Sequence, residues 1–389
     1  MKEKKVPAIR FQGFTDDWEQ RKLGEVADVY DGVHQTPIYQ DSGIMFLSVE
    51  NISTLTSNKF ISEEAFERDY KNYPEKGDIL MTRIGDVGTP NVVETAEKVA
   101  FYVSLALLKP KDTDSFFLCN TIRSTGFQKG LRNRTLVTAI PQKINKDEIG
   151  KVEFQMPTNP DEPKKIGIYF KILDHLITLH QRKLTKLQLL KKSMLTKMFP
   201  KDGARVPEIR FQGFHGDWEQ RELEDIVDFL DTQRKPLTES IREKGPYPYY
   251  GASGIVDYVA GYLFEEELIL LSEDGANITD RSYPVCFLAS GKYWVNNHAH
   301  VLRAKTEMDN NFICNAMERK DYRNYNTGMA MPKLNQDTCR KIPVGCPSYP
   351  EQKLIGNFFR ELDKLIAFHQ RKLSKLQKIK QAMLSKLFV

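Results

Sequence analysis

The chain has 389 residues, of which 40% are hydrophobic and 28% are charged, and its formal net charge is +5. This composition is that of a folded globular protein and excludes an intrinsically disordered chain. No apolar run approaches the roughly 18 residues of a membrane span, and the first residues lack the apolar core of a secretory signal. The cysteines are scattered, without a C-x-x-C pair. We therefore expect a cytoplasmic protein with no membrane partner and no metal site.

One long internal repeat dominates the sequence. The segment VPAIRFQGFTDDWEQRKL at Val6 to Leu23 returns as VPEIRFQGFHGDWEQREL at Val206 to Leu223. A second segment, Ile166 to Phe199, returns as Ile355 to Phe388. Each copy is large enough for its own core, whereas solenoids stack at least about three short units. The repeat therefore predicts two similar domains in one chain.

The sequences between the repeated blocks diverge, but short anchors survive at similar offsets. ILMTRIG at Ile79 to Gly85 corresponds to ILLSEDG at Ile269 to Gly275. Such drifting anchors predict one scaffold with loops of different length. Near-identity of the flanks beside divergence of the middles indicates common partners for the flanks and different partners for the middles.

Two long helices are predicted at 166–200 and 355–389. Neither glycine nor proline interrupts 168–199 or 357–389. Residues recur at heptad spacing, which predicts a coiled-coil seam between antiparallel helices, with one histidine per copy fixing the register. The seam residues are Leu173, His180, Leu184, Leu187 and Met194 in the first copy and Leu362, His369, Leu373, Leu376 and Met383 in the second.

The helices also carry segregated charge. Arg182 to Lys197 and Arg371 to Lys386 contain basic residues and no acid, which indicates a polyanion or an acidic protein surface as partner. Lysines that only solvate a helix are the alternative.

At about 1.5 Å per residue, a helix of about 33 residues spans about 50 Å, and one turn of B-DNA spans about 34 to 36 Å. The helix pair is therefore expected to be a spacer between two domains related by a pseudo-two-fold axis.

The sequence lacks the signatures of a self-contained enzyme. It contains no N-P-P-aromatic motif, no glycine-rich strand-turn-helix for S-adenosylmethionine and no G-x-x-x-x-G-K-[ST] loop for nucleotide phosphates. Two alternatives stay open at this point: a self-contained DNA methyltransferase or nuclease, and a coiled-coil scaffold that does not bind DNA.

The paired W-E-Q-R blocks, the IL-[ML]-[TS] segments before Gly85 and Gly275, and the LDxLIxxHQRKLxKLQ helices resemble the DNA-specificity subunit of type I restriction-modification systems. The resemblance covers almost the whole chain. It implies an α+β fold in which two target-recognition domains, 1–165 and 201–354, are joined by two long antiparallel coiled-coil helices, 166–200 and 355–389, with internal pseudo-two-fold symmetry.

The resemblance also implies a function. The chain would be a non-catalytic subunit that binds double-stranded DNA at a bipartite, asymmetric target and holds two adenine methyltransferase subunits and two restriction and translocase subunits. No cofactor would bind this chain, and S-adenosylmethionine, ATP and Mg²⁺ would belong to the partner subunits.

Candidate DNA contacts in the first domain are basic. Gly77 to Gly88 predicts a strand closed by a Gly-Asp turn, with Arg83 projecting from the strand end. Lys129, Arg132 and Arg134 follow in a polar stretch. We expect these side chains to contact phosphates, which give affinity and register, and solvated surface charge is the alternative.

Candidate contacts in the second domain are amides, hydroxyls and imidazoles in segments typical of turns or strand ends. Asparagine can pair bidentately with adenine in the major groove. The H-x-H pair lacks further ligands, so it does not predict a metal site. The candidates are Ser253, Asn277, Asn296, Asn297, His298 and His300.

Four further candidates occupy equivalent places in both halves: Lys143 and Asn145, and Lys333 and Asn335. Shared residues cannot explain different specificities. We therefore expect them to contact phosphates or to form turns.

Overall fold

The computed structural model describes residues 6–201 and 203–389. They form two compact units: unit 1 combines the chain up to Gln181 with Arg371–Val389, and unit 2 is Arg182–Gln370. Both units mix helices and strands, which confirms the α+β prediction. The units differ from the predicted linear division at 165, 200 and 354, because each long helix begins in one unit and ends in the other.

The elements that unit 1 contributes before the first long helix are β1 (Trp18–Lys22), α1 (Leu23–Val26), β2 (Ala27–Asp31), β3 (Ile44–Leu47), β4 (Phe60–Ile61), α2 (Glu63–Asp69), β5 (Ile79–Thr82), β6 (Pro90–Val92), β7 (Val99–Phe101), β8 (Leu105–Pro110), α3 (Ser115–Arg123), α4 (Thr125–Arg134), α5 (Lys146–Gly150) and β9 (Glu153–Pro157), with a 3₁₀ helix at Val49–Asn51. The first long helix is α6 (Asp161–Lys197).

Unit 2 then contributes β10 (Glu219–Glu222), α7 (Leu223–Ile226), β11 (Val227–Phe229), β12 (Lys244–Gly251), β13 (Gly254–Val259), β14 (Leu268–Ser272), α8 (Asn277–Asp280), β15 (Cys286–Ala289), β16 (Trp294–Val295), β17 (Ala299–Ala304), α9 (Asn310–Glu318), α10 (Gln336–Arg340) and β18 (Pro343–Cys346), with 3₁₀ helices at Asp231–Gln233, Glu239–Ile241 and Tyr322–Tyr325. The second long helix is α11 (Tyr349–Lys386).

The two units have the same sheet topology. Unit 1 holds a four-stranded sheet ordered β2-β8-β5-β6, a three-stranded sheet ordered β4-β3-β7 and the pair β1-β9, and unit 2 holds β11-β17-β14-β15, β13-β12-β16 and β10-β18. The register is shared as well, since Ile79 pairs with Leu108 as Ile269 pairs with Leu302. The anchors ILMTRIG and ILLSEDG therefore lie on the same strand of the two scaffolds, as predicted.

The central strands β5 and β14 read as apolar runs because both of their faces are buried. Ile79 and Met81 pack into one core cluster of unit 1, whereas Leu80 packs into another. Ile269 and Leu270 are divided in the same way between two clusters of unit 2. Alternation of side chains along a strand sends successive residues to opposite faces. Each central strand thus joins two layers of core.

A glycine near the start of each long helix permits a close contact with the neighbouring short helix. Asp114 caps α3 by accepting from Phe117 N at 2.8 Å, and Asp309 caps α9 in the same way through Phe312 N at 2.8 Å. A Cβ on Gly167 would lie 1.8 Å from Oδ1 of Asp114. Only glycine fits there, and Gly356 occupies the same place beside Asp309, where a Cβ would lie 2.2 Å from Oδ1.

Within each unit, the start of one long helix packs antiparallel against the end of the other. In unit 1, Phe170 contacts Phe388 with ring centroids 5.8 Å apart, and Asp174 Oδ1 accepts from Lys380 Nζ at 2.5 Å. As residue numbers rise along α6 from Phe170 to Asp174, the residues contacted on α11 fall from Phe388 to Lys380. Unit 2 repeats this arrangement, with Phe359 against Phe199 and Asp363 bound to Lys191 at 2.6 Å. The predicted antiparallel pairing is confirmed within each unit.

The repeated blocks at 6–23 and 206–223 bind both helices of each pair. Arg10 binds Glu162 through two hydrogen bonds of 2.7 Å, while Ile9 N donates to Lys386 O at 3.0 Å. One block thus touches the start of α6 and the end of α11. In unit 2, Arg210 binds Glu351 and Ile209 N donates to Lys197 O at 2.9 Å. These intramolecular contacts account for the near-identity of the blocks.

The long helices begin earlier than the predicted 166 and 355, at Asp161 and Tyr349. Pro163 lies inside the first turn of α6, where a missing backbone N–H has no cost. None of the helices in the described part of the chain combines the length and the apolar character that crossing a membrane requires.

Candidate nucleic-acid interface

The ends of the central strands form the same backbone frame in both units. In unit 1, Gly85 N donates to Gln142 O at 2.8 Å and Ile144 N donates to Arg83 O at 3.0 Å. In unit 2, Gly275 N donates to Pro332 O at 3.0 Å, and Leu334 N donates to the Glu273 carbonyl oxygen at 2.7 Å. These bonds bring the Pro/Lys/Asn segments predicted from sequence to the strand ends.

A short closed loop precedes each of these segments. Leu136 N donates to Lys143 O at 2.8 Å, which closes loop 1 (residues 136–143). Thr327 N donates to Lys333 O at 2.8 Å, which closes loop 2 (residues 327–333). The two loops are therefore equivalent parts of the scaffold, and loop 1 is one residue longer.

Arg83 does not project from the strand end, so the prediction that its side chain meets DNA is wrong. It is 5% exposed, and its guanidinium binds the carboxylate of Asp31 and donates from Nε to Ile144 O at 3.0 Å. A buried guanidinium needs such partners because charge without compensation is costly in the interior. Arg83 therefore ties β2 to the segment after loop 1.

His300 is also buried, at 1% exposure, so it cannot contact a base edge. Its Nδ1 lies 2.6 Å from Asp231 Oδ2, and its Nε2 lies 2.8 Å from Leu334 O. Burial alone would lower the pKa of His300, but the interactions with Asp231 and Cys339 together outweigh it and raise the pKa to about 10. Both ring nitrogens are occupied, so His300 is not placed to bind a metal with His298.

The buried cations Arg83 and His300 make the same link from different strands. Arg83 joins Asp31, at the end of β2, to Ile144 O. His300 joins Asp231, just after β11, to Leu334 O. Each carbonyl belongs to the residue that follows the lysine of the Pro/Lys/Asn segment. Asp231 also accepts from Val301 N at 2.9 Å. Unit 2 adds an ion pair between Arg234 and Glu273 at 2.6 Å. The strand-end frame is thus fixed by buried charge in both units.

The structure gathers several predicted residues of unit 2 at the end of β14. His298 is exposed, and its Nδ1 lies 2.9 Å from both carboxylate oxygens of Asp274. Lys333 pairs with Asp274 in an antiparallel bridge and is exposed, with Nζ 3.4 Å from Glu273. Asn296 is buried, and its Oδ1 accepts from His298 N at 2.8 Å. Asn296 therefore shapes the turn that presents His298, and the prediction that it contacts bases is wrong.

The remaining candidates of unit 2 differ in availability. Asn277 bonds the backbone of Tyr283 through both ends of its amide, at 2.8 and 3.0 Å, so it closes a local turn. Ser253 and Asn297 are exposed. Ser253 follows Ala252, whose carbonyl accepts from Ser272 Oγ at 2.5 Å at the end of β14. The turn that carries Ser253 thus lies beside the same strand end.

In unit 1, Lys143 is exposed at the strand end, opposite Ile84 in an antiparallel bridge, and no ion pair involves it within the described residues. Asn145 and Asn335 are exposed at the N-caps of α5 and α10. Neither makes a side-chain cap hydrogen bond, so these side chains stay available.

The basic residues of α4 separate from one another. Arg132 is exposed, whereas Arg134 binds Glu148 at 3.1 Å. Lys129 lines a groove of unit 1 with Gln155 and Phe388 and is not placed at the strand end. Lys129 and Arg132 are therefore both exposed, whereas an ion pair holds Arg134.

Sequence reasoning missed four partly buried carboxylates, those of Asp31, Asp231, Glu273 and Asp274. The signal for the first two was present, since YDG at 30–32 and LDT at 230–232 stand at the same distance from the repeated blocks. Aspartates at matching positions on two scaffolds indicate a shared structural bond.

The heptad seam residues hold the protein together and are not exposed for a partner subunit. Leu173, Leu184, Leu362, His369 and Leu373 are buried. Leu187 and Met194 pack on the core of unit 2, and Leu376 and Met383 on that of unit 1; His180 is partly buried. These residues therefore form the seam between the helices, as the heptads predict.

Exposed apolar residues form a different stripe on α6, and only half of the equivalent stripe of α11 is apolar. On α6 the stripe consists of Ile168, Ile172, Leu176 and Leu179, which are 56%, 56%, 36% and 39% exposed. The equivalent positions of α11 are Asn357, Glu361, Leu365 and Phe368. The spacing of three to four residues places each set on one helix face.

Comparison with known proteins places this geometry in one family. The sequence model described as type I restriction modification DNA specificity domain matches residues 15–189 and 215–378. A type I restriction enzyme specificity subunit of Haemophilus influenzae is 32% identical over 154 residues, which are 40% of this chain and 39% of that protein. One of Methanocaldococcus jannaschii is 23% identical over 197 residues, which are 48% of this chain and 43% of that protein. The matched part of the chain thus spans less than half the length of these relatives.

A solved structure has the same fold. The type I restriction-modification system S subunit from M. genitalium superposes with a TM-score of 0.76 at 17% identity over 99% of both chains. The two family matches fall on the two copies of the duplicated frame and on most of each long helix. The chain belongs to the type I restriction-modification DNA-specificity family and contains two copies of its specificity domain.

Proposed function

We propose that the chain binds double-stranded DNA as the specificity subunit of a type I restriction-modification complex and that each unit recognises one half of a bipartite, asymmetric target. The observation that carries the proposal is a shared frame with different contents. The same backbone bonds hold both strand ends, yet Asp274 and His298 stand in unit 2 where unit 1 has Ile84 and Ser104. Equal frames with unequal side chains suit unequal half-sites.

The shared residues would position the DNA. Lys143 and Lys333 occupy equivalent exposed places beside the strand ends, and phosphate contacts from such residues carry register but no sequence information. Asn145 and Asn335 are equally exposed beside them. Base contacts would come from the residues that differ, which in unit 2 are Ser253, Asn297 and His298.

Two adenine methyltransferase subunits would dock on the exposed helix stripes, one stripe for each. Restriction and translocase subunits would join that complex. The catalytic groups, and the sites for S-adenosylmethionine, ATP and Mg²⁺, would lie in these partners, so the chain itself would be non-catalytic. The absence of nucleotide and methyl-donor motifs from the sequence supports this division.

Two alternatives make different predictions. A self-contained methyltransferase or nuclease would act on DNA without added subunits. A scaffold that does not bind DNA would use its basic helix segments to contact acidic protein. The buried ionic bonds that fix the strand ends favour DNA recognition, because a recognition surface must hold its side chains in a defined geometry.

The experiment is a binding titration of the full chain, alone and assembled with its methyltransferase subunits, on duplex DNA at increasing salt. We expect affinity that falls steeply with salt, because lysine and arginine release counterions from phosphates. We expect methylation only when the methyltransferase subunits are present. Methylation by the chain alone, or absence of DNA binding at every salt concentration, would contradict the proposal.

A further inference from the structure

Loops 1 and 2 expose large apolar side chains to solvent. In loop 1, Val137 is 69% exposed and Ile140 is fully exposed. In loop 2, Met329 is fully exposed and Met331 is 61% exposed. Single exposed apolar residues are ordinary on protein surfaces, but several within one short loop indicate a binding role.

The apolar tips occur in both units although the loops share little sequence. Loop 1 reads LVTAIPQK and loop 2 reads TGMAMPK, so only one alanine, the proline and the final lysine correspond. Both loops are closed by the same backbone bond and end at the same strand-end frame. Two divergent loops in one structural position thus present the same kind of side chain to solvent.

An exposed lysine lies at the end of each loop, and the Nζ of Lys333 is 3.4 Å from Glu273. Residues 135–146 contain Lys143 and Lys146 and no acid, and residues 324–335 contain Lys333 and no acid. A stable protein interface buries roughly 800 Å² of surface on each partner, which two or three side chains at a loop tip do not supply. A nucleic acid suits this pattern better, because its backbone is a polyanion and an apolar side chain can insert between its stacked bases.

The loops are anchored firmly enough to deform DNA. Arg83 bonds Ile144 O directly after loop 1, and His300 bonds Leu334 O directly after loop 2. Isoleucine, methionine and proline are the side chains that proteins insert between base steps to unstack and kink a duplex. Ile140 precedes Pro141, and Met331 precedes Pro332.

We propose that Ile140 of loop 1 and Met329 with Met331 of loop 2 act as apolar wedges that each unstack one base step of the bound duplex. This inference rests on the proposed DNA-binding function and adds to it a contact that does not depend on hydrogen bonds to bases. Each wedge kinks its own half of the target. The kink opens the groove toward the strand-end residues Lys143 and Lys333.

The test measures end-to-end energy transfer in a short duplex that carries the motif returned by methylation mapping. The protein is the full chain assembled with its methyltransferase subunits. The variants are I140A and the pair M329A/M331A. The matched control is I38A, because Ile38 is 88% exposed and loses the same atoms. Binding to the same duplex and the number of methyltransferase subunits are measured in parallel.

We expect the wild-type complex to bend the duplex, and each variant to lose a bend of at least about 20° and to bind roughly tenfold more weakly. I38A should bend and bind the duplex as the wild type does. A variant that combines I140A with M329A/M331A should lose the bend in both half-sites. A wild-type complex that binds the motif without bending it, or variants that bend it as I38A does, would overturn the wedges and leave the proposed function standing.

Two further outcomes are distinguishable from these. Loss of methyltransferase subunits from the variants with an unchanged bend would show that the tips contact protein, which overturns the inference. A wild-type complex that binds no duplex at all would overturn the proposed function, and the wedges with it.

Discussion

Nδ1 of His300 lies 2.6 Å from Oδ2 of Asp231, and this buried bond does in unit 2 what the Arg83 to Asp31 ion pair does in unit 1. The cations come from different places in the shared frame, since His300 lies on β17 and Arg83 directly follows β5. They still reach equivalent carbonyls, Leu334 O and Ile144 O. The duplicated frame has therefore kept the bond while changing the residue that makes it.

Replacing Arg83 with methionine should impair one half of the target only. The substitution leaves Asp31 and Ile144 O without a buried partner, and breaking such a pair costs about 3 to 5 kcal/mol. We expect loss of methylation that depends on the half-site read by unit 1, with amide exchange in unit 2 unchanged. Hydrogen exchange of both units measures this directly.

The control for that variant is R83K. Lysine keeps the charge but lacks the planar fork that serves Asp31 and the carbonyl together, so it should rescue only part of the stability. Full recovery by lysine would show that charge alone matters and that the bond to Ile144 O is unimportant.

The stability of unit 2 should depend on pH in a way that unit 1 does not. The pKa of His300 is raised to about 10 in the folded protein from 6.5. A raised folded pKa gives stabilisation that is complete below pH 6.5 and is lost as pH rises through about 10. We expect unit 2 to lose about 2 to 4 kcal/mol over this window, measured by urea unfolding at several pH values.

The matched variant H300Q should flatten this pH dependence because glutamine does not titrate. Asp231 belongs to the same bond: burial alone would raise its pKa, but His300 brings the pKa below its usual value. An H300Q variant that keeps the full wild-type slope would assign the pH dependence to another group.

Truncating the two aromatic helix ends should loosen different units. Phe199 stacks on Phe312 with centroids 5.4 Å apart in unit 2, and Phe388 packs on Phe117 at 5.8 Å in unit 1. Each F199A or F388A change should cost about 3 to 5 kcal/mol. Hydrogen exchange should rise in α9 for F199A and in α3 for F388A. Equal loosening of both units by one variant would contradict the assignment of each helix end to one core.

A charge on the exposed stripe of α6 should remove one methyltransferase subunit. Leu176 is 36% exposed and lies on the face of Ile168 and Ile172, and its equivalent on α11 is the apolar Leu365. L176D would therefore place an unpaired carboxylate in the docked interface. We expect native mass spectrometry to show one methyltransferase copy in place of two. T178D carries the same charge on another exposed face and should keep both copies.

Lengthening both long helices should widen the gap in the target. One heptad inserted after Gln181 and one after Gln370 keeps the seam in register and adds about 10 Å, or about three base pairs. Methylation mapping should return the same half-sites with a longer gap. An unchanged gap would show that the helices do not set the spacing.

The repeat and the heptads predicted the architecture because they are periodic signals carried by many residues. The shared register of Ile79 and Ile269 confirmed that the anchors mark equivalent strands. The exchange of helix ends between the units was not predicted, because a heptad pattern does not tell which core receives Phe199 or Phe388.

The candidate site was predicted less well than the fold. Arg83 and His300 are typical DNA contacts by residue type, yet their partners Asp31 and Asp231 lie more than fifty residues away along the chain. Burial of such charges depends on long-range contacts that local sequence does not encode. The exposed segments around Lys143 and Lys333 were found because proline marks the turns that carry them, and that around His298 because two asparagines precede it.

Methylation mapping of the genome of a host that carries this chain with its partner subunits tests the central claim most directly. We predict methylated adenines in one motif made of two unequal halves separated by a fixed gap, and we predict that N297A/H298A alters one half only. A contiguous motif, a perfect palindrome, or a change in both halves from this unit 2 variant would contradict recognition by two unlike domains on one repeated frame.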